Sequence, residues 1–205
     1  MHDTLFPLFL DLRNRPVLVV GAGTVALGKI RGLLAAGAAV TVVAPMAVAE
    51  LAALADGHVL RWRRRRFRTM DLDGMWLVVA ATSDRGVNAQ VARAAERRRL
   101  FVNAVDDPAS ATAYAGAVVR RGPVTAAISS GGRAPALSRL LRELLEQLLP
   151  DAETLTSWTA TSESLRPGWR ARAVPLVERF PLLLRSLLER TTSAKADRSA
   201  VGMGR

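Results

Sequence analysis

Gly21-Ala22-Gly23-Thr24-Val25-Ala26 closes an apolar run, Val17-Leu18-Val19-Val20, and opens a stretch with helical spacing. A Cβ at Gly21 would obstruct a tight turn, Gly23 would let the backbone approach a pyrophosphate, and Ala26 takes the third small position of a Gly-x-Gly-x-x-Ala pattern. Such a turn aims a helix N-terminus at the ligand's charge; the plainer reading is a structural glycine turn. The strand before it, the helix after it and a second strand-like run, Ala39 to Val43, favour the dinucleotide site. Two other segments carry chemistry. Asn103 to Pro108 includes Asp106 and Asp107 at the end of an apolar run, where a carboxylate facing a nucleotide crevice can accept or steer a proton. The alternative is that one of them caps the Asp-Asp-Pro turn, a role that suits Asp107 better. Ser129-Ser130-Gly131-Gly132 either binds carboxylates through its amides or caps the helix that follows.

A dinucleotide fold normally ends its second strand with Asp or Glu on the ribose hydroxyls, and here Ala44-Pro45-Met46 stands there. No basic residue follows immediately to receive a 2′-phosphate, so NAD is expected rather than NADP. Arg61-Trp62-Arg63-Arg64-Arg65-Arg66-Phe67-Arg68 interleaves six arginines with two aromatics. A solvated edge strand, a surface that steers an anionic ligand, and a phosphate-neutralising strip that stacks on bases are the three readings; nucleic acid is the least favoured partner.

The net charge of +11 comes from 29 Lys plus Arg against 18 Asp plus Glu, and only Lys29 and Lys195 are lysines. Arginine forks suit carboxylates and phosphates, which points to an acidic ligand, although codon bias writes the same arginines on any solvated face. With no cysteine, disulfides, thiolate metal sites and cysteine nucleophiles are excluded. His2 and His58 lack a ligand spacing, so no resident metal is expected. No apolar stretch reaches the length of a membrane span and Met1-His2-Asp3-Thr4 is no signal sequence, which makes a cytoplasmic protein without a membrane partner the expectation.

The elements that must position these residues alternate. Helix Val25 to Ala36, strand Ala39 to Val43, helix Ala47 to Ala55, strand His58 to Arg63, strand Trp76 to Ala81, helix Asp84 to Arg98 and strand Leu100 to Val105 imply an α/β, Rossmann-like, doubly wound parallel sheet. Its ligand belongs beyond the strands' carboxyl ends, where Gly21 to Val25, Ala81-Thr82-Ser83-Asp84 and Asn103 to Pro108 converge. A small α+β segment follows, with strands over Ala117 to Val119 and Val124 to Ile128 and an amphipathic helix over Ala136 to Leu148. It is too small for its own core, so a homodimer is expected. The expected divisions are a nucleotide domain over 1–112, a dimerisation hairpin and helix over 113–150, a helical region over 151–190 interrupted at Pro167-Gly168 and Pro175, and a disordered tail over 191–205.

Taken in order, the glycine turn, Ala80-Ala81-Thr82-Ser83-Asp84, Val102 to Pro108 and Ile128-Ser129-Ser130-Gly131-Gly132-Arg133-Ala134-Pro135-Ala136-Leu137 resemble the precorrin-2 dehydrogenase family, the N-terminal module of sirohaem synthase. The resemblance runs from Leu5 to Pro150, begins with Phe6-Pro7-Leu8-Phe9-Leu10-Asp11-Leu12, and suggests a short stand-alone form. It implies NAD-dependent oxidation of precorrin-2, a macrocycle bearing eight carboxylates, to sirohydrochlorin. Asp106 is then the residue implicated in dehydrogenation and, in bifunctional members, in inserting ferrous iron. Thr24, Val25, Pro45 and Met46 match cofactor-contacting positions beside Gly21, Gly23 and Thr82, while Ser130, Gly131 and Tyr114 fall to the substrate side. The sequence departs from the family at Ala113-Tyr114-Ala115-Gly116, where Tyr114 replaces the bulk of a customary pair before Pro. The alternative function is a redox-sensing regulator that binds NAD without turning it over.

Overall fold

Val17 and Val19 face one side of a strand and Leu18 and Val20 the other, and all four are buried. Apolarity on both faces is what a parallel strand needs when helices cover both sides of its sheet. In the computed structural model, which describes residues 5–188, this strand is β1 (Pro16–Val20). It is joined by β2 (Ala39–Val43), β3 (Arg61–Arg63), β4 (Leu77–Ala80) and β5 (Phe101–Ala104) in one five-stranded parallel sheet of order β3-β2-β1-β4-β5. The chain therefore leaves β1 outward to β3, then crosses back to β4 and β5, and the reversal beside β1 opens a crevice at the carboxyl ends.

Helices α1 (Thr24–Ala35) and α2 (Ala49–Asp56) send Ala26, Leu27, Ile30 and Leu51 into the core on one face. On the other face α3 (Arg85–Glu96) packs Val91, Ala92, Ala94 and Ala95 against Leu18, Val78 and Val102. Asp84 caps α3, its Oδ1 accepting from Gly86 N at 2.8 Å and Val87 N at 3.2 Å.

The arginine run departs from the expected edge strand. His58 adopts a φ of +57° directly after α2, so pairing starts only at Arg61 and ends at Arg63. Beyond it the chain turns, and a 3-10 turn over Thr69–Leu72 buries Asp71 completely beneath two of the arginines. Arg63 Nη1 donates to Asp71 Oδ1 at 2.6 Å, Arg65 Nη2 to Oδ1 at 2.5 Å and Nη1 to Oδ2 at 2.8 Å, and the Arg68 backbone N–H to Oδ2 at 2.9 Å. Burial alone would push this carboxyl up, but the Arg65 guanidinium, the Arg68 amide and Arg63 together bring it from 3.8 down to about 2. Because the folded value lies below the unfolded one, the stabilisation is complete above about pH 4 and disappears as pH falls toward 2. Asp71→Asn is expected to cost about 3 kcal/mol at neutral pH, since it strands two guanidiniums around a neutral amide. Thermal melts from pH 7 to pH 2 check this: the variant should be less stable at neutral pH, with a shallower acid limb.

The chain divides into two compact units. The first comprises the described part of Met1–Gly116 with Ser129–Pro135, so the serine-glycine turn groups with the sheet rather than with the hairpin that precedes it. The second holds an antiparallel hairpin, β6 (Ala117–Arg121) and β7 (Val124–Ile128), followed by α4 (Pro135–Leu148), α5 (Ala152–Ala171) and helical residues 176–188. Within it Arg121 Nη1 donates to Leu149 O at 2.5 Å, and Asp151 caps α5 through Thr154 N at 2.7 Å. The break expected at Pro167-Gly168 does not occur. Helix α5 runs through Pro167 to Ala171 with Trp169 buried, and the interruption comes at Ala173, whose φ is +50°, ahead of Pro175. One missing N–H costs less here than giving up the packing of Trp169. The tail expected over 191–205 lies outside the described residues. Among the described residues no helix is long and apolar enough to cross a membrane.

Candidate functional site

Because the strands are parallel, their carboxyl ends bring their loops to one edge, and the first unit holds a cavity of about 820 Å³ there. Gly21, Gly23, Thr24, Val25, Pro45, Met46, Thr82 and Asp106 all line it, so all the expected cofactor positions and the candidate carboxylate meet in a single crevice. A second groove, of about 760 Å³, opens at the strands' amino ends against Pro16, Ala39 and Arg61 and contains none of them.

The two glycines of the turn do different work. Gly21 has a φ of +109° and donates to Val43 O at 3.0 Å; a Cβ there would lie 2.3 Å from Ala81 O. Its lack of a side chain is thus a requirement of the fold. Gly23 caps α1, and a Cβ added to it would meet no protein atom within 4 Å. That space belongs to the cavity, and a ligand is what would fill it. Helix α1 has no side-chain cap and no acid in its first turn, which leaves its first amides and its dipole available to an anion. Open backbone at Gly23, amides beyond it and apolar side chains left uncovered, Val25 at 55% and Met46 at 83% exposure, form a donor set suited to a dinucleotide.

Thr82 is held from below by Asn88, which sequence reasoning overlooked. Asn88, 4% exposed, accepts from Thr82 N at 3.1 Å through Oδ1 and donates through Nδ2 to Thr82 O at 2.9 Å, while Thr82 Oγ1 lies 2.8 Å from the same Oδ1. An amide at the first full turn of α3, six residues past Thr82, was the available signal.

Asp106 follows β5 with a φ of +57°, a left-handed conformation that Asp and Asn tolerate better than most residues. Among the described residues its exposed carboxylate has no hydrogen-bond or ion-pair partner. Asp107 makes no side-chain cap either; its carbonyl accepts from Ser110 N at 3.2 Å. The turn is closed by backbone, so Asp106 is left available for chemistry.

Tyr114, Ser130 and Gly131 do not line the crevice. They gather beside it in the same unit. Tyr114 Oη donates to Pro108 O at 2.8 Å, and a Cβ on Gly132 would sit 3.2 Å from Pro108 Cγ and 3.5 Å from Tyr114 Cε1. Ser129 Oγ accepts from Gly131 N at 3.1 Å and Ser130 Oγ from Ala134 N at 3.0 Å, so the loop's hydroxyls take up its own amides just ahead of α4. Left-handed φ values of +64° at Gly131 and +76° at Gly132 make the turn possible. Arg66 and Phe67, from the arginine run whose three readings the sequence left open, also line the crevice, as do Val87 and Gln90.

Residues 8–117 match the NAD(P)-binding family model NAD_binding_7, and residues 121–148 match the model for the central part of a sirohaem biosynthesis protein. "Siroheme synthase 3" of Aeromonas hydrophila subsp. hydrophila is 48% identical over 173 residues, covering 84% of this chain and 36% of the relative. "Siroheme synthase 1" of Aeromonas salmonicida is 44% identical over 198 residues, covering 97% and 41%. The chain thus spans well under half the length of these relatives. The solved structure titled "SirC, precorrin-2 dehydrogenase" superposes with a TM-score of 0.67 at 28% identity, covering 92% of this chain and all of that one.

Proposed function

The chain belongs to the NAD(P)-binding family of sirohaem-biosynthesis proteins, and on that premise we propose that it oxidises precorrin-2 to sirohydrochlorin with NAD as acceptor. The observation that carries the reading is a single crevice joining the dinucleotide turn at Gly21 and Gly23 to an uncommitted carboxylate, Asp106.

Gly23, Thr24 and Val25 would hold a pyrophosphate through their backbone amides, and Pro45 and Met46, which line the same crevice beyond β2, would take the adenosine. Thr82, fixed by Asn88, lines the crevice and would help hold the cofactor there. Bound NAD would supply the hydride acceptor for the oxidation of the macrocycle. Asp106 takes the accompanying proton from the ring carbon through a carboxylate oxygen and releases it to solvent, so the pair of hydrogens removed is accounted for. Ser130, Gly131 and Tyr114, adjoining the segment that follows Asp106, hold the macrocycle, and the arginine-rich surface attracts its carboxylates. The same carboxylate would take the pyrrole protons displaced if ferrous iron enters the product as a second substrate. Helix α4 exposes Leu137, Leu141, Leu144 and Leu148 at helical spacing, an apolar stripe for a second copy of the chain. A chain with no cysteine needs no oxidising compartment, and we place it in the cytoplasm.

The test is anaerobic mixing of precorrin-2, NAD and purified protein. NADH absorbance and the sirohydrochlorin spectrum should rise together in equal amounts. NAD binding without either signal would overturn the dehydrogenase reading in favour of a sensor.

A further inference from the structure

Sequence neighbours of β2 offer no cation for a 2′-phosphate, but the fold supplies one from the next strand. Strand β3 pairs with β2 so that Arg63 lies opposite Val43, and Ala44 N donates to Arg63 O at 3.3 Å. The chain continuing from Arg63 therefore runs past the carboxyl end of β2, where the adenosine ribose of a dinucleotide lies. Arg66 lines the cavity there, together with Pro45, Met46 and Phe67.

The three arginines immediately before it, Arg63, Arg64 and Arg65, are engaged. Arg63 and Arg65 are bound to buried Asp71, and Arg64 lies 4.3 Å over the Trp62 ring and 3.9 Å from Asp56. Among the described residues the Arg66 guanidinium has no acidic partner. Its backbone, in contrast, is fixed: Arg65 N donates to Arg63 O at 2.8 Å, and Arg65 Nη1 donates to Arg66 O at 3.0 Å while the same guanidinium grips Asp71. A free cation is thus carried on a pinned segment, and no Asp or Glu at Ala44, Pro45 or Met46 repels a phosphate.

We propose that Arg66 is a specificity-determining residue that reads the adenosine end of the cofactor, so that the site admits a 2′-phosphate and takes NADP as well as NAD. This rests on the reading of the crevice as a dinucleotide site. A guanidinium pairs with a phosphate dianion through charge-assisted hydrogen bonds that a ribose hydroxyl cannot match.

Isothermal calorimetry with NAD, NADP and 2′,5′-ADP tests it on the wild type, Arg66→Ala, Arg66→Gln and, as a control outside the crevice, Arg61→Ala. The expected result is NADP binding within about tenfold of NAD, an Arg66→Ala loss of about 10- to 100-fold for NADP and 2′,5′-ADP with NAD changed less than about threefold, and no effect of Arg61→Ala. Arg66→Gln should behave like Arg66→Ala. Wild-type protein that binds NAD but not NADP, or an Arg66→Ala variant that weakens both equally or neither, would overturn the proposal while the dinucleotide site stands. Failure of both cofactors to bind would remove the dinucleotide reading and this inference with it.

Discussion

Asp106→Asn should lower turnover of precorrin-2 by about 10²- to 10⁴-fold, the usual contribution of a positioned base, with NAD affinity and melting temperature nearly unchanged. The separation is possible because of where Asp106 sits. Among the described residues its carboxylate makes no hydrogen bond and no ion pair, so replacing it removes no structural bond there. The backbone at φ +57° is the only structural demand at this position, and Asn meets it as readily as Asp. Asp106→Ala is the poorer probe, because Ala in that conformation costs about 1 kcal/mol and mixes strain with chemistry. Steady-state kinetics beside a thermal melt and an NAD titration read the three quantities. An Asn variant active within about tenfold of the wild type would mean that the proton leaves by another route.

The glycine pair should split binding from stability. Gly21→Ala places a methyl 2.3 Å from Ala81 O in a left-handed conformation, and backbone must move to relieve it. A loss of roughly 2–4 kcal/mol is expected, with NAD binding lost as the turn shifts. Gly23→Ala meets no protein atom within 4 Å. It should cost the fold no more than about 1 kcal/mol, the cost of Ala at an N-cap, yet weaken NAD by about tenfold or more, since the new methyl would stand where a pyrophosphate approaches. Chemical denaturation and calorimetry on both variants make the comparison. Unchanged affinity in Gly23→Ala would show that the diphosphate does not lie against this turn.

Local rules were enough for much of this crevice. Apolarity on both faces of Val17 to Val20 announces a buried parallel strand, the glycines behind it announce the turn, and Asp84 ahead of α3 caps it as its position suggests. The adenosine side was hidden for a physical reason. The fate of Arg63, Arg65 and Arg66 is decided by a carboxylate in a 3-10 turn, and no periodicity in an arginine run shows that Asp71 is buried beneath it. Contacts distant in sequence also reassign Ser129–Pro135, which follows the hairpin in the chain yet packs its Gly132 toward Pro108 and Tyr114. Pro167 reads as a helix breaker, but the burial of Trp169 outweighs one lost hydrogen bond.

A crystal structure of the protein with NAD bound tests the central claim most directly, that one crevice seats the cofactor and brings it to Asp106. The pyrophosphate should lie over Gly23, the adenosine beside Met46 and Arg66, and the nicotinamide at the end of β5 facing Asp106. Density in the groove at the strands' amino ends instead, or a nicotinamide turned away from Asp106, would contradict it.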